Sequence, residues 1–135
     1  EYKYGDSRLD FYMEKQDEKY LMEVKGCTLE IDGIGYFPDA PSERAVRHLH
    51  ELMHAVKQGY HCILAFVIAM PGVMVVRPNM TTHPAFGQAL SEAMAAGVEV
   101  WYLPCEITAD SIQIKGRKRK YYTVQDGLYP HMVIQ

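Results

Sequence analysis

The sequence is poor in cysteine and has no thiolate spacing that suits a metal. Its three cysteines, Cys27, Cys62 and Cys105, are scattered and form no CxxC pair. The spacing rule for a zinc-thiolate site is not met, and an odd, sparse count points to buried thiols in a reducing, cytoplasmic compartment. Long apolar runs are also missing. The longest, Cys62 to Met70, is far too short to span a bilayer, so no membrane partner is expected. No charged segment followed by an apolar one opens the chain, which excludes a recognisable secretory signal. Positive charge is not in excess. Lys and Arg number 14 against 17 Asp and Glu, a net charge of −3. That balance weighs against strong non-specific binding to nucleic acid, which draws on many cationic contacts to phosphate. There is no internal repeat and no low-complexity stretch. The first residue is Glu1 rather than Met, so the expectation is a fragment or trimmed product with parts of its site missing.

What is present suits one α/β domain. The chain has 135 residues, 48% of them apolar, enough for a sizeable core. Segment Ser7 to Met13 alternates, with Leu9, Phe11 and Met13 on one side and Arg8, Asp10 and Tyr12 on the other, which is strand behaviour. Glu14 to Lys19 is a solvated turn, and Tyr20 to Lys25 alternates again. A third strand is predicted over Thr28 to Phe37, bent or split at Asp32-Gly33. Pro38 to Pro41 is a loop. Ser42 is a candidate N-cap for a helix running to about Gln58, with Gly59 suited to its end. His61 to Ala69 is nearly all apolar, as in a strand buried on both faces. Val73 to Val76 is a candidate extension. A second helix is predicted from about Pro84 to Ala96, stopping at Gly97, and Val98 to Leu103 is another buried strand. Ile112 and Ile114 suggest an edge strand, and no clear pattern follows Tyr121. The order is an antiparallel meander and then helix, strand, helix, strand. This predicts a mixed α/β sheet with a right-handed crossover between parallel strands.

The first two strands can be registered by arithmetic. A turn centred between Gln16 and Asp17 pairs Leu9 with Val24, Phe11 with Met22 and Met13 with Tyr20, all apolar. The other face then pairs Asp10 with Glu23 and Arg8 with Lys25. Like charges directly opposite each other destabilise a sheet, and a cation between the carboxylates relieves the conflict. Mg²⁺ commonly takes one or two carboxylates and keeps several waters. Lys25, two residues from Glu23 on the same face, is placed to steady a phosphate or an attacking hydroxide. The functional reading is a metal-assisted phosphodiesterase site. The plain alternative is a solvated hairpin face on which Arg8 and Lys25 merely neutralise the acids.

Several segments go beyond spacing. Ser7-Arg8-Leu9-Asp10-Phe11, Glu23-Val24-Lys25-Gly26, Gly35-Tyr36-Phe37-Pro38-Asp39-Ala40-Pro41, Arg47-His48-Leu49 and Ala96-Gly97-Val98-Glu99-Val100 together resemble the sugar fermentation stimulation protein A family. The resemblance runs from about Tyr4 to about Ile114. It implies a PD-(D/E)xK, restriction-endonuclease-like mixed sheet flanked by helices, an OB-like N-terminal domain ahead of it, and a DNA-binding role. It matches Asp10 to the motif aspartate and Glu23 and Lys25 to the ExK. The expected cofactor is Mg²⁺, with Mn²⁺ as a substitute. The expected layout is a nuclease-like domain over residues 1–120 and a tail over 121–135. Two parts of that layout are expected to be missing from this chain: the OB-like domain, and the helix before the first strand that often supplies another acid in this fold.

A competing motif lies further on. His50-Glu51-Leu52-Met53-His54 matches the zinc-protease pattern H-E-x-x-H. That chemistry needs both histidines on the helix face that looks into a site. With Ala45, Leu49, Leu52, Met53 and Val56 as the apolar stripe, His50 and His54 fall about 100–140° from its centre, towards solvent. Glu92 is conceivable as a third ligand, but nothing requires it. Arg44, Arg47 and His48 rise on the flanks and back of the same helix, as phosphate contacts or as a solvated charged face. Lys115, Arg117, Lys118, Arg119 and Lys120 form a basic run that is either a DNA contact or a solvated loop, with Tyr121 and Tyr122 beside it for stacking on bases. The leading expectation is a DNA-binding protein with a Mg²⁺-dependent nuclease-type site at Asp10, Glu23 and Lys25. The rival is a regulator of sugar metabolism that binds DNA without cutting it. A zinc peptidase is a distant third.

Overall fold

A computed structural model describes residues 2–4, 7–107, 112–114, 118–125 and 129–134, with side chains over residues 9–105. The chain opens with strands β1 (Tyr2–Tyr4), β2 (Ser7–Leu9), β3 (Phe11–Lys15) and β4 (Glu18–Cys27), followed by the short β5 (Leu29–Ile31) and β6 (Ile34–Phe37). Helix α1 (Glu43–Lys57), β7 (His61–Ile68), β8 (Val76–Pro78), α2 (Pro84–Ala96) and β9 (Glu99–Ile107) come next. Strands β10 (Ile112–Ile114), β11 (Lys118–Gln125) and β12 (Tyr129–Ile134) end the chain.

The main sheet runs in the order β12-β11-β9-β7-β4-β3, with β10 paired to β9. At its centre β4, β7 and β9 are parallel, and the helices lie in the connections between them. This is the mixed sheet that the late alternation of helices and strands predicts. The β3–β4 hairpin turns on Gln16 (φ 52°) and Asp17 (φ 67°). Positive φ at both central residues is the turn geometry that matches strand twist. Its two-residue loop fixes the register at Phe11–Met22 and Met13–Tyr20, as the arithmetic predicts. The predicted third strand is split into β5 and β6 by a second such turn at Asp32 (φ 52°) and Gly33 (φ 82°). Val73–Val75 are not strand; β8 begins at Val76 and pairs with β6 instead of extending β7.

The helix ends follow local chemistry. The Ser42 hydroxyl accepts the Ala45 N–H at 3.1 Å, which satisfies one of the free donors of the first turn of α1. Pro84 opens α2, where its missing N–H costs nothing, and Gly97 closes it at φ 112°. The buried residues of α1 are Ala45, His48, Leu49, Leu52 and Ala55, a stripe at helical spacing. This stripe packs with Leu21 of β4, Leu64 and Phe66 of β7, and Phe86 of α2 in one core. Buried Tyr102 of β9 donates its hydroxyl to the Val76 carbonyl at 3.1 Å, tying the main sheet to β8. The other face of the sheet carries a smaller apolar cluster around Ile63, Ala65 and Leu103. Beyond Tyr121, where the sequence shows no pattern, β11 and β12 form a hairpin on the β9 side of the sheet. Among the described residues no helix is long and apolar enough to cross a membrane.

Candidate active site

Two ladders meet at Asp10. Leu9 pairs back to Tyr2 in the β1–β2 ribbon, whereas Phe11 pairs with Met22 in the main sheet. Asp10 is the single residue between them, at a bend. The β3–β4 ladder therefore stops one residue short of Asp10 and Glu23, and backbone donors there need other partners. Both carboxyl groups supply one. Asp10 Oδ2 accepts the Val24 N–H at 2.8 Å, and Glu23 Oε2 accepts the Asp10 N–H at 3.3 Å. The two acids are thus locked to each other's strands.

The bend also decides which face is buried. Leu9 is fully buried, but Phe11 and Met13 are 59% and 56% exposed. On β4 the residues facing the helices are Leu21, Glu23, Lys25 and Cys27. Glu23 is only 2% exposed. The plain alternative of a solvated, charged hairpin face is therefore wrong for Glu23. The apolar pairs that fixed the register lie on the more open side of the sheet, at its β3 edge.

Glu23 does not face the core alone. Lys25 Nζ lies 3.3 Å from Glu23 Oε1, and His48 Nδ1 lies 3.0 Å from the same oxygen. Lys25 Nζ and His48 Nδ1 are themselves 3.0 Å apart. Burial raises the Glu23 carboxyl above the usual range; Lys25 opposes the shift and Asp10 adds to it. Burial, with the charges of Lys25, Arg44 and Arg47, lowers His48 to about 4. The imidazole is thus neutral near pH 7, and its contact with Glu23 is a hydrogen-bonding contact rather than an ion pair.

His48 is the residue that sequence reasoning misplaced. It belongs neither to the back of α1 nor to a solvated face, being 2% exposed and inside the apolar stripe. A stripe read from apolar residues alone passes over a polar member. The signal was the spacing itself, since His48 sits three residues after Ala45 and four before Leu52. Arg44 and Arg47 are exposed on the same helix. His50 and His54 lie on the outer face, as their spacing predicts, and Glu92 is exposed on α2. Among the described residues no group of three or more His, Cys, Asp or Glu is arranged to hold a metal ion.

The remaining expected contacts are only partly described. Arg8 lies in β2, opposite Lys3 of β1, ahead of the described side chains. Lys115 and Arg117 lie outside the described residues. The backbones of Lys118 and Arg119 pair with Tyr102 and Trp101. That places β11 three strands from β4, roughly 14 Å across the sheet at ordinary strand spacing.

Residues 1–111 match the family described as the sugar fermentation stimulation protein RE domain. The sugar fermentation stimulation protein homolog of Desulfitobacterium hafniense is 48% identical over 82% of this chain and 48% of its own length. The homolog of Clostridium beijerinckii is 47% identical over 85% of this chain and 51% of its own. A solved structure of Pyrococcus furiosus SfsA in complex with Ca²⁺ superposes with a TM-score of 0.79 at 30% identity, covering 85% of this chain and 50% of that one. The chain therefore spans about half the length of the curated relatives it matches. A family match over most of the chain, together with this structural likeness, leads to one conclusion: the chain belongs to the sugar fermentation stimulation protein family.

Proposed function

We propose that Asp10, Glu23 and Lys25 form a PD-(D/E)xK-type site for Mg²⁺-dependent cleavage of DNA phosphodiesters in a cytoplasmic protein. The observation that carries this reading is the buried Glu23 carboxyl, tied to Asp10 and approached by Lys25 at 3.3 Å. A buried acid beside a second acid is costly unless a cation compensates it. Asp10 and Glu23 are hard oxygen donors, and Asp10 has only one oxygen engaged by the described residues. Two carboxylates, completed by water and substrate phosphate, suit Mg²⁺ better than a closed protein cage. The related Pyrococcus furiosus protein, solved with Ca²⁺, supports a divalent, oxygen-loving ion.

Bound there, the ion supplies Lewis-acid polarisation and a more acidic water. The chain's residues do the rest. Asp10 and Glu23 would hold the ion where the β3–β4 ladder ends. Lys25 brings a second positive charge to the same place, where negative charge develops on the phosphate. Arg44 and Arg47, exposed on α1, offer phosphate contacts that orient the backbone of the nucleic acid. Lys115, Arg117, Lys118 and Arg119 offer a second contact, as does Arg8. The rival reading, DNA binding without cleavage, draws on the net charge of −3 and on the lack of a third acid beside Asp10 and Glu23 among the described residues.

The decisive assay uses full-length protein on single-stranded, duplex and branched DNA with Mg²⁺ or Mn²⁺. Lys25→Ala is expected to lower cleavage by about 100–1,000-fold, the loss typical of removing one group that stabilises transition-state charge. DNA affinity should change little, because one phosphate contact among several is lost. No metal-dependent cleavage of any substrate by the wild type would leave the regulator as the reading.

A further inference from the structure

His48 is a buried polar group in an apolar stripe, and its contacts set it apart from an ordinary core histidine. The other histidine buried among the described residues, His83, turns Nδ1 to the backbone, accepting the Ser42 N–H at 3.0 Å. His48 instead turns Nδ1 to two side chains of the proposed site. Glu23 Oε1, Lys25 Nζ and His48 Nδ1 form a triangle with edges of 3.0, 3.3 and 3.0 Å. A neutral imidazole nitrogen either donates or accepts. As a donor, Nδ1 serves Glu23 and abuts the hydrogens of Lys25. As an acceptor, it serves Lys25 and abuts the lone pairs of Glu23. One edge is unfavourable in either tautomer.

The triangle becomes fully satisfied when one corner leaves. If Glu23 turns its oxygens to a cation shared with Asp10, Lys25 loses an acceptor, and Nδ1 remains as the one that holds it. We infer that His48 is a positioning residue that keeps the Lys25 ammonium in place while Glu23 is committed to a divalent cation. This rests on the reading of Asp10, Glu23 and Lys25 given above. Without His48, a four-carbon side chain with rotatable bonds has nothing in the described structure to hold it once Glu23 withdraws. It then trails Glu23 or turns to solvent, and the second positive charge is lost from the phosphate position. Arg44 and Arg47 are exposed on the same helix and repel Lys25 rather than hold it, and Asp10 already spends one oxygen on the Val24 N–H.

The test compares three variants of the full-length protein, using Ca²⁺ alone as the non-reacting ion. His48→Asn puts an amide group near the place of Nδ1, His48→Gln puts one near the other ring nitrogen, and His48→Leu offers none. The first readout is the Lys25 ammonium signal in nitrogen-15 NMR, which survives only when hydrogen exchange is slowed by a fixed partner. With Ca²⁺ bound, the signal should persist in the wild type and His48→Asn and vanish in His48→Gln and His48→Leu. The second readout is Mg²⁺-dependent cleavage, expected to fall by about 10–100-fold in His48→Gln and His48→Leu, as is typical when a supporting partner of a metal site is removed. His48→Asn should restore most of it. A Lys25 signal that survives in His48→Gln or His48→Leu with Ca²⁺ overturns the inference, as does a His48→Asn protein no better than His48→Gln. If the wild type cleaves nothing, the nuclease reading falls, and the Lys25 signal still decides the role of His48.

Discussion

Helix α1 carries histidines on two faces, and they differ in what they can do. His50 and His54 complete a motif known from zinc enzymes, yet both stand on the exposed face. His48 belongs to no metal-binding pattern, yet it lies buried against Glu23 and Lys25 of β4. A spacing rule selects residues that share a face, but not which face is turned inward. Packing makes that choice, and on α1 it follows Ala45, Leu49, Leu52 and Ala55. A titratable residue inside such a stripe is therefore more informative than a motif outside it.

The comparison breaks most visibly through stability. Leu52 is fully buried in the inner stripe, so Leu52→Ala should cost about 2–5 kcal/mol in urea unfolding, through lost transfer energy and a residual cavity. A loss under 1 kcal/mol would mean that the inner face of α1 is not packed as described.

Acid sharpens the contrast on the same face. His48 is held near 4, below its ordinary 6.5. The folded state therefore prefers the neutral ring. The stability this contributes is complete above about pH 6.5 and is lost as the pH falls towards 4, with an upper limit of the order of 3 kcal/mol. Glu23 acts in the opposite sense: its raised value means that the folded state takes up a proton more readily, which favours folding as the pH falls. The net acid loss is thus smaller than the His48 share alone. His48→Leu should flatten the profile between pH 6.5 and 4 in metal-free unfolding experiments. An unchanged slope would show that the ring is solvated.

The smallest effect belongs to the outer face. Replacing His50 and His54 together with alanine should alter unfolding free energy by no more than about 0.5 kcal/mol, as for surface changes generally. Any metal-dependent DNA cleavage should be unaffected. Zinc binding lost in the double variant, or a peptidase activity that disappears with it, would reverse the ranking of the two faces.

Much of the fold was legible because local chemistry fixes it. The two-residue turn at Gln16-Asp17 set the β3–β4 register, and Ser42, Pro84 and Gly97 marked helix ends within a residue or so. The acidic pair was legible through that register. The burial of Glu23 was not. Alternation separates two faces of a strand without saying which is inside, and it puts Leu9, Phe11 and Met13 on one side. The bend at Asp10 splits them, leaving Leu9 buried while Phe11 and Met13 stand largely exposed on the edge strand β3. That bend arises where two ladders compete for neighbouring residues, a non-local event that no window of sequence contains. The hairpin of β11 and β12 went unseen for a related reason: its strands pair with β9 and with each other, in a stretch whose apolar and polar residues do not alternate cleanly.

The crossed bonds between Asp10 and Glu23 have a practical meaning for anyone seeking an inert but intact version of this protein. Each acid closes a backbone valence of its neighbour's strand, so both are architectural members as well as chemical ones. Removing either leaves a peptide N–H orphaned at the rim of the sheet, and a lost function is then indistinguishable from a frayed strand. Lys25 has no such second duty, since the partners of its ammonium among the described residues are side chains alone. The substitution that spares both peptide N–H groups is at the lysine, and the acids are better probed by isosteric amides that still carry an oxygen to the waiting N–H.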